Sequence, residues 1–552
     1  MISTADAPTT RSQSAALPSL GSYTPGSEAP AFTPTELLAR SGRFREPCFI
    51  VRDPKRGHLG VGMGEGGQVD FAAKRGPYQL QGCLPPVYPE WLGDRSFNEV
   101  HGVRFPYVAG EMAQGIATAR MAVEMAKAGM LGFFGAAGLP LDKIRAGLDE
   151  INAGLGGRDL PWGANLIHSP QTPQDEERTV DLFIERKVRN VSASAFMKLT
   201  LTVVRYATTG IRTGPSGEVI RDHCVFAKIS RPETAEQFMA PPPAEMLAEL
   251  LRRGAITEEQ ARIAATLPVA EDITSEADSG GHTDNRPLTA ILPAICAIRD
   301  RLAAHYHYQR PVRVGAACGI GTPAAAAAAF ALGAAYVLTG SINQSAVESG
   351  LSEDGKRMLI DAGVADVIMA PAADMFELGV KVQVLKRGTL FAMRAQNLYD
   401  LYRRYDSLES LPAEVKRKLE SEVFKAPIDE IWQQTQVFWQ AREPREAARA
   451  ETDAKHRMAL VFRWYLGGGS SWARRGTSER KTDFQIWCGP AMGAFNAWTR
   501  GSFLEPLENR TVVQIARNIM EGAAQITRMQ QWRCHGVPVP AAAFDFRPRP
   551  LR

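Results

Sequence analysis

The sequence predicts an α/β fold: a closed (β/α)8 TIM barrel with a small N-terminal subdomain and a C-terminal helical cap. Three observations predict it. Between residues 101 and 340, eight short β-prone runs alternate with amphipathic or Ala-rich helical stretches, the signature of βαβ units on a parallel sheet. Eight such units in about 240 residues suit a closed barrel better than an open sheet. Beyond residue 370 the alternation stops and apolar residues recur at three- and four-residue spacing, as in packed helices.

Taken in order, residues 1–44 are Ser/Thr/Ala/Pro-rich without an apolar run and are expected to form a disordered leader, not a signal peptide. Residues 45–100, with "PCFIVRD", "GHLGVGMGEGG" and "QGCLPPVYPEWLGDRSF", read as a small subdomain of short strands and turns. A formal GxGxxG spans Gly62 to Gly67, but "QVDFAAKRGPYQ" follows it and is no helix. A dinucleotide fingerprint needs that helix, so a β-turn run is the better reading. The barrel is expected over 101–370. Its strands are "VRFPYVAG", "MLGFFGA", "LPWGANLI", "VRNVSAS", "HCVFAKIS", "PVAEDIT", "PVRVGAA" and "AAYVLTG". Residues 371–552 form the cap, with helical patterns in "DMFELGVKVQVLKRGTLFAMRAQNLYDLYRRY", "PIDEIWQQTQVFWQAR" and "ENRTVVQIARNIMEGAAQITRMQQW".

Composition narrows the function. The 552 residues are 45% apolar and 22% charged, with a net charge of +4, an ordinary globular balance. That charge, without a basic stripe and interleaved aromatics, does not call for nucleic acid. No window offers about 20 uncharged apolar residues, so no membrane span is expected. The seven cysteines are scattered and form no CxxC pair, which argues for reduced, cytoplasmic thiols and against a zinc site. His305 and His307 close a helix with no acid or cysteine near them in sequence, and no metal is expected. The basic run 473–481, "ARRGTSERK", reads as a solvated loop, or as a docking patch for an acidic protein.

The reactive face of a barrel lies at the strand C-termini, with phosphate commonly held after strands seven and eight. Here the seventh strand runs into "CGIGTPAAAAAAF". Gly319 and Gly321 expose backbone amides, Thr322 suits an N-cap and Pro323 the first helical position. Amides at the positive end of a helix make an anion site. Gly340 and Ser341, in "VLTGSINQ", supply a second set of donors. The loop after strand six, "ADSGGHTDNRP", puts His282 on the same face, with Gly280 and Gly281 able to lie close to a flat ring. Asn165 offers a donor and an acceptor to an imide edge, and Lys228 favours negative charge on a flavin's N1/O2 edge. Gly110, Met112 and Ala113 are placed under the ring. Asp278 and Asp284 are read as orienting or solvating the loop, and Trp472, Trp487, Phe495 and Trp498 either as ordinary core or as lining of a tunnel beneath the cap.

These motifs resemble a known family. "GEMAQGIATARMAVEMAKAGMLGFFGAAG", "GANLIHSP", "ADSGGHTDNRP" and "GAACGIGTP" with "VLTGSINQ" resemble the barrel motifs of flavin-dependent nitronate monooxygenases and bacterial enoyl reductases. Outside the barrel, "PPVYPEWLGDRSF", "APAADMFELGVKVQVLKRGTLFAMRAQNLYDLYRRY" and "WCGPAMGAFNAWTRGSFLE" are similar to the PfaD family, trans-acting enoyl reductases of polyketide and polyunsaturated fatty-acid synthases. The likeness runs over roughly residues 80 to 540. It implies FMN in the barrel, NADPH as reductant and an α,β-unsaturated thioester on acyl carrier protein as substrate. It also implies that His282 matches the histidine beside the flavin, Gly319, Gly340 and Ser341 the phosphate loops, and Asn165 the strand-end asparagine. Cys318 stands where related barrels often show a second glycine. Nucleic-acid and membrane partners are not expected, and a homodimer is compatible with the sequence. Two alternatives remain: a nitronate monooxygenase-like flavin oxidase, with the histidine as base, and a non-catalytic synthase scaffold.

Overall fold

The computed structural model describes residues 19–73, 75–169 and 172–551, which fall into two compact units. The smaller combines residues up to Pro89 with Gly522–Phe546. Its strands β1 (Gly21–Thr24), β2 (Cys48–Arg52), β3 (Leu59–Gly62), β4 (Gln68–Asp70) and β5 (Tyr78–Leu84) make an antiparallel sheet of order β3-β2-β5-β1-β4. Ile50 and Val61 of this sheet pack with Leu37, Met63, Met529 and Trp532. The glycine run after β3 leads into β4 with no helix between them, as a β-turn run should.

Two expectations need correction. Composition puts a disordered leader at 1–44, yet β1 and a helix at Pro34–Arg40 lie within it; residues 1–18 lie outside the described residues. Tyr23 is fully buried in β1, and Thr33 and Glu36 form a reciprocal capping box at the helix, so local signals of order outweigh the polar composition. The sequence bounds the subdomain at 45–100, yet the compact unit ends at Pro89 and takes in Gly522–Phe546. The segment 522–546 belongs by pattern to the cap; the apolar side chains Met529 and Trp532 make it part of the small core instead.

The larger unit carries the barrel. Its strands are β6 (Tyr107–Ala109), β7 (Leu131–Phe134), β8 (Gly163–Ile167) and β9 (Asn190–Ser194). After a short hairpin of β10 (Arg212–Thr213) and β11 (Val219–Ile220) come β12 (Cys224–Ile229) and β13 (Asp272–Glu276). A two-residue strand β14 (Gly281–His282) precedes the last barrel strands, β15 (Arg313–Ala317) and β16 (Val337–Thr339). The eight barrel strands are all parallel and close where β16 pairs with β6. Each falls within or beside one of the eight runs read from the sequence. Threonine hydroxyls of Thr118, Thr200 and Thr322 cap the helices that begin at Ala119, Leu201 and Pro323, fixing where each chain leaves the barrel mouth.

Below the mouth the barrel is filled. Phe97 stacks on Tyr336 at 4.4 Å between ring centroids, with Phe133 and Phe226 against them. At the strand N-termini the fully buried Asp272 accepts from Arg313 at 2.7 and 2.8 Å, and its other partner is His101 Nε2 at 2.9 Å. Burial alone would raise the Asp272 pKa, but Arg313 and His101 hold it far below the usual carboxylate range.

The cap is not purely helical, contrary to expectation. Strand β18 (Lys381–Leu385) lies inside the stretch read as helix and pairs antiparallel with β17 (Val367–Pro371) just before it; the helix itself begins at Phe391. "KVQVL" alternates, with Val382 and Val384 buried, and that period of two marks a strand. Further helices span Ile428–Arg442, Pro444–Thr452, Ala454–Arg475 and Ala491–Thr499. No helix among the described residues is long and apolar enough to cross a membrane.

Candidate active site

The C-terminal ends of the barrel strands bring a charged cluster together. Lys228, near the end of β12, sits with Nζ 3.2 Å from Glu111 Oε1 and 3.1 Å from Glu276 Oε1. Glu111 follows β6 by two residues and accepts from Ser194 Oγ at 2.9 Å. Asn165 in β8 donates from Nδ2 to Ser194 Oγ at 3.0 Å and to the Ser192 carbonyl at 3.1 Å. Burial opposes the charge on Lys228, but the two carboxylates outweigh it and raise its pKa well above the ordinary lysine value. The lone cation expected from the sequence is therefore an ion triad of formal charge −1. The amide donors of Asn165 are likewise taken by the barrel, leaving its carbonyl oxygen to face anything else. Glu111 Oε2 and Gln344 Oε1 are buried with no hydrogen-bond partner among the described residues, an expensive arrangement that a donor in the mouth relieves.

The loop leaving β13 carries His282 and is held by the cap. Gly281 and His282 form β14, which pairs antiparallel with Gln383 and Val382 of β18. Gln383 donates from Nε2 to Asp278 Oδ1 at 2.7 Å and to the Ser279 carbonyl at 2.6 Å. Asp284 accepts from Ser230 Oγ at 2.6 Å and from Arg231 Nε at 3.0 Å. Asp278 and Asp284 thus orient the loop. His282 Nε2 lies 3.2 Å from Asp374 Oδ1. A Cβ on Gly280 would stand 2.6 Å from Cys488 N, so that glycine serves the approach of the cap segment and not of a ring. Gly110 is similarly filled in, by the Leu338 side chain at 2.3 Å from a built Cβ. Met112 is buried and Ala113 half-buried just beyond it.

The two loops expected to bind phosphate converge. Cys318 and Gly319 have φ of 75° and 70°, a left-handed pair that costs a non-glycine residue about 1–2 kcal/mol. The Cys318 side chain packs against the barrel core, and its thiol pKa is driven up by burial. A Cβ built on Gly319 or on Gly340 meets nothing within 4 Å. The amides of Gly319, Gly340 and Ser341 donate to no acceptor among the described residues. Thr322 Oγ1 accepts from Ala325 N at 3.3 Å and Pro323 opens the helix, as the sequence implied. Both loops touch the same cap segment: Gly489 N donates to Ser341 Oγ at 3.0 Å, and a Cβ on Gly321 would stand 2.1 Å from the Ala491 carbonyl oxygen. Gly321 and the Ser341 hydroxyl are therefore used by the protein, leaving open backbone at Gly319, Gly340 and Ser341.

The basic run 473–481 is not the solvated loop expected: it closes the helix Ala454–Arg475 and enters a 3-10 turn at Ser478–Asp483. Arg480 is buried and donates to the carbonyls of Val423 and Phe424, Arg474 donates to the Gln114 carbonyl, and Lys481 pairs with Asp354. Trp472 and Phe495 are core side chains; Trp487 and Trp498 are half-buried. Sequence reasoning missed Glu111, Glu276, Asp374 and Gln383. For the two glutamates the signal existed, an acid at or just past a barrel strand end.

A family model described as nitronate monooxygenase matches residues 95–399. The chain belongs to the nitronate monooxygenase family. Its membership makes it an oxidoreductase, and the likeness to PfaD-type proteins expected from the motifs holds. A second model, the inserted helical domain of acyl-carrier-protein S-malonyltransferase, matches residues 405–484. The crystal structure of the enoyl reductase domain of MlnA, from the macrolactin biosynthesis cluster of Bacillus amyloliquefaciens, aligns with a TM-score of 0.77 and 40% identity. That match covers 80% of this chain and 99% of that one. A polyunsaturated fatty acid synthase protein of Thraustochytrium sp. is 46% identical over 88% of this chain and 32% of its own length. The polyketide biosynthesis protein PksE of Bacillus subtilis is 43% identical over 80% and 58%. The chain thus spans 32% and 58% of the lengths of those two curated relatives.

Proposed function

We propose that the chain is an FMN-dependent enoyl reductase that consumes NADPH and acts in trans on α,β-unsaturated thioesters carried by acyl carrier protein. The observation that carries this reading is the pair of open loops, Cys318–Gly319 and Gly340–Ser341, with free amides, on the two strands that follow β13 and its His282 loop around the barrel. The residues present fit FMN. Amides of Gly319, Gly340 and Ser341 would hold its phosphate, and the orphaned acceptors Glu111 Oε2 and Gln344 Oε1 would take hydrogen bonds from its imide or ribityl donors. The MlnA domain, an enoyl reductase matched across nearly its whole length, supports the same chemistry.

Bound there, FMN supplies hydride transfer from NADPH to the β-carbon of the enoyl thioester. The chain's own residues do the rest. His282 gives a proton to the α-carbon and recovers one from solvent, so each double bond saturated consumes one NADPH and one proton. The Glu111–Lys228–Glu276 triad fixes the floor of the site without leaving a bare cation there. The cap, laid over the His282 loop through β18 and Cys488, keeps water from the reacting atoms.

The test compares NADPH oxidation by the purified protein with a crotonyl pantetheine thioester and with an alkyl nitronate. The thioester is expected to be reduced in proportion to NADPH consumed. His282→Ala is expected to slow this by about 10²–10⁴-fold while FMN stays bound. Turnover of nitronate alone would make nitronate oxidation the activity, and failure to take up FMN would leave the scaffold reading.

A further inference from the structure

His282 is exposed enough to meet a substrate, yet it is not free to turn. Its backbone is the third strand of a small sheet, paired with Val382 of the cap, and its Nε2 faces Asp374 Oδ1 at 3.2 Å. Asp374 lies on the turn between β17 and β18, and its Oδ1 also accepts from the Met375 amide at 3.1 Å, which fixes the carboxylate. The hairpin thus holds the histidine twice, by backbone through β18 and by side chain through Asp374. A carboxylate accepts and does not donate, so Nε2 carries its hydrogen and Nδ1 is the nitrogen left to exchange a proton.

We propose that Asp374 is a positioning residue, holding His282 so that Nδ1 delivers the proton to the substrate α-carbon. This rests on the enoyl reductase reading. Hydride added at the β-carbon leaves an electron pair on the thioester enolate; that pair forms the new C–H bond with the proton from Nδ1. The N–H bond breaks, its electrons stay on nitrogen, and a neutral imidazole remains with Nε2–H still directed at Asp374. Water restores the proton. Groups on other elements also face the pair: Glu276 at the end of β13 favours the charge on His282 and Lys228 on β12 opposes it, while Arg463, on the helix Ala454–Arg475, steadies the ionised Asp374. Burial disfavours the imidazolium, yet Asp374 outweighs it and the His282 pKa lies above the ordinary histidine value. The donor is therefore charged below that raised pKa and lost as pH climbs through it.

The test uses the full chain with ¹³C-labelled histidine, following imidazole titrations by NMR, with His282→Gln to assign the resonance. In Asp374→Asn the midpoint is expected to fall, and in Asp374→Glu to stay near that of the unaltered protein. The alkaline limb of NADPH-dependent crotonyl thioester reduction should move to lower pH with it. Above the limb, kcat should drop about tenfold per pH unit while KM stays nearly constant. An unchanged midpoint in Asp374→Asn overturns the proposal, as does a midpoint that moves while the rate limb stays. If the unaltered protein reduces no thioester, the enoyl reductase reading fails by itself, and the midpoint still decides whether Asp374 governs His282.

Discussion

At the scale of single residues, the barrel mouth depends on compensation between charges that are individually costly. Lys228 is accommodated because two glutamates meet it, and the glutamates because the ammonium lies between them. Lys228→Met leaves two carboxylates facing each other out of water, which should cost about 3–5 kcal/mol. Urea unfolding measures this, and equal stability of variant and unaltered protein would show that the triad carries no weight. His282 is legible from sequence because glycines and a strand end frame it. Asp374 is not, since 92 residues separate the partners and only the pairing of β14 with β18 joins them. Lys228 is found in the right place but with an incomplete set of neighbours, because the acids that pair with it come from two other strands.

At the scale of elements, the loops after β15 and β16 separate glycines that serve the fold from those that leave room. Gly321 cannot gain a Cβ without meeting the Ala491 carbonyl oxygen at 2.1 Å, whereas Gly340 has open space and a φ of −122° that other residues adopt. Gly340→Ala should therefore leave the melting temperature of the protein without flavin unchanged. The added methyl should weaken hydrogen bonding to the phosphate by about 1–3 kcal/mol, raising the FMN Kd roughly five- to 150-fold. Fluorescence titration with FMN reads it, and an unaltered Kd would mean that no phosphate lies against that loop. The barrel strands themselves are legible because each is a short apolar run followed by a helix of period 3.6. β18 escapes such a reading because its period-two "KVQVL" lies between helix-like stretches, and Gln383 breaks the apolar run although it is buried against the His282 loop.

At the scale of the molecule, residues 19–44 and 522–546, which look peripheral in sequence, are structural. Composition assigns the first 44 residues to disorder and residues 522–546 to a cap, because neither Tyr23 nor Trp532 reveals by local pattern that it is buried at 0% exposure in the small unit. Such contacts join distant parts of the chain, and no window of sequence contains them. The barrel and cap, by contrast, form one unit whose parts converge on the strand C-termini. Its chemistry turns on whether the Gly319 and Gly340–Ser341 amides hold a flavin phosphate. The most direct measurement is the visible spectrum of the protein incubated with FMN and freed of excess, recorded before and after anaerobic NADPH and again after crotonyl thioester. Flavin bands that bleach with NADPH and return in proportion to added thioester are predicted; a colourless protein, or a bleached one that the thioester fails to reoxidise, would contradict the account.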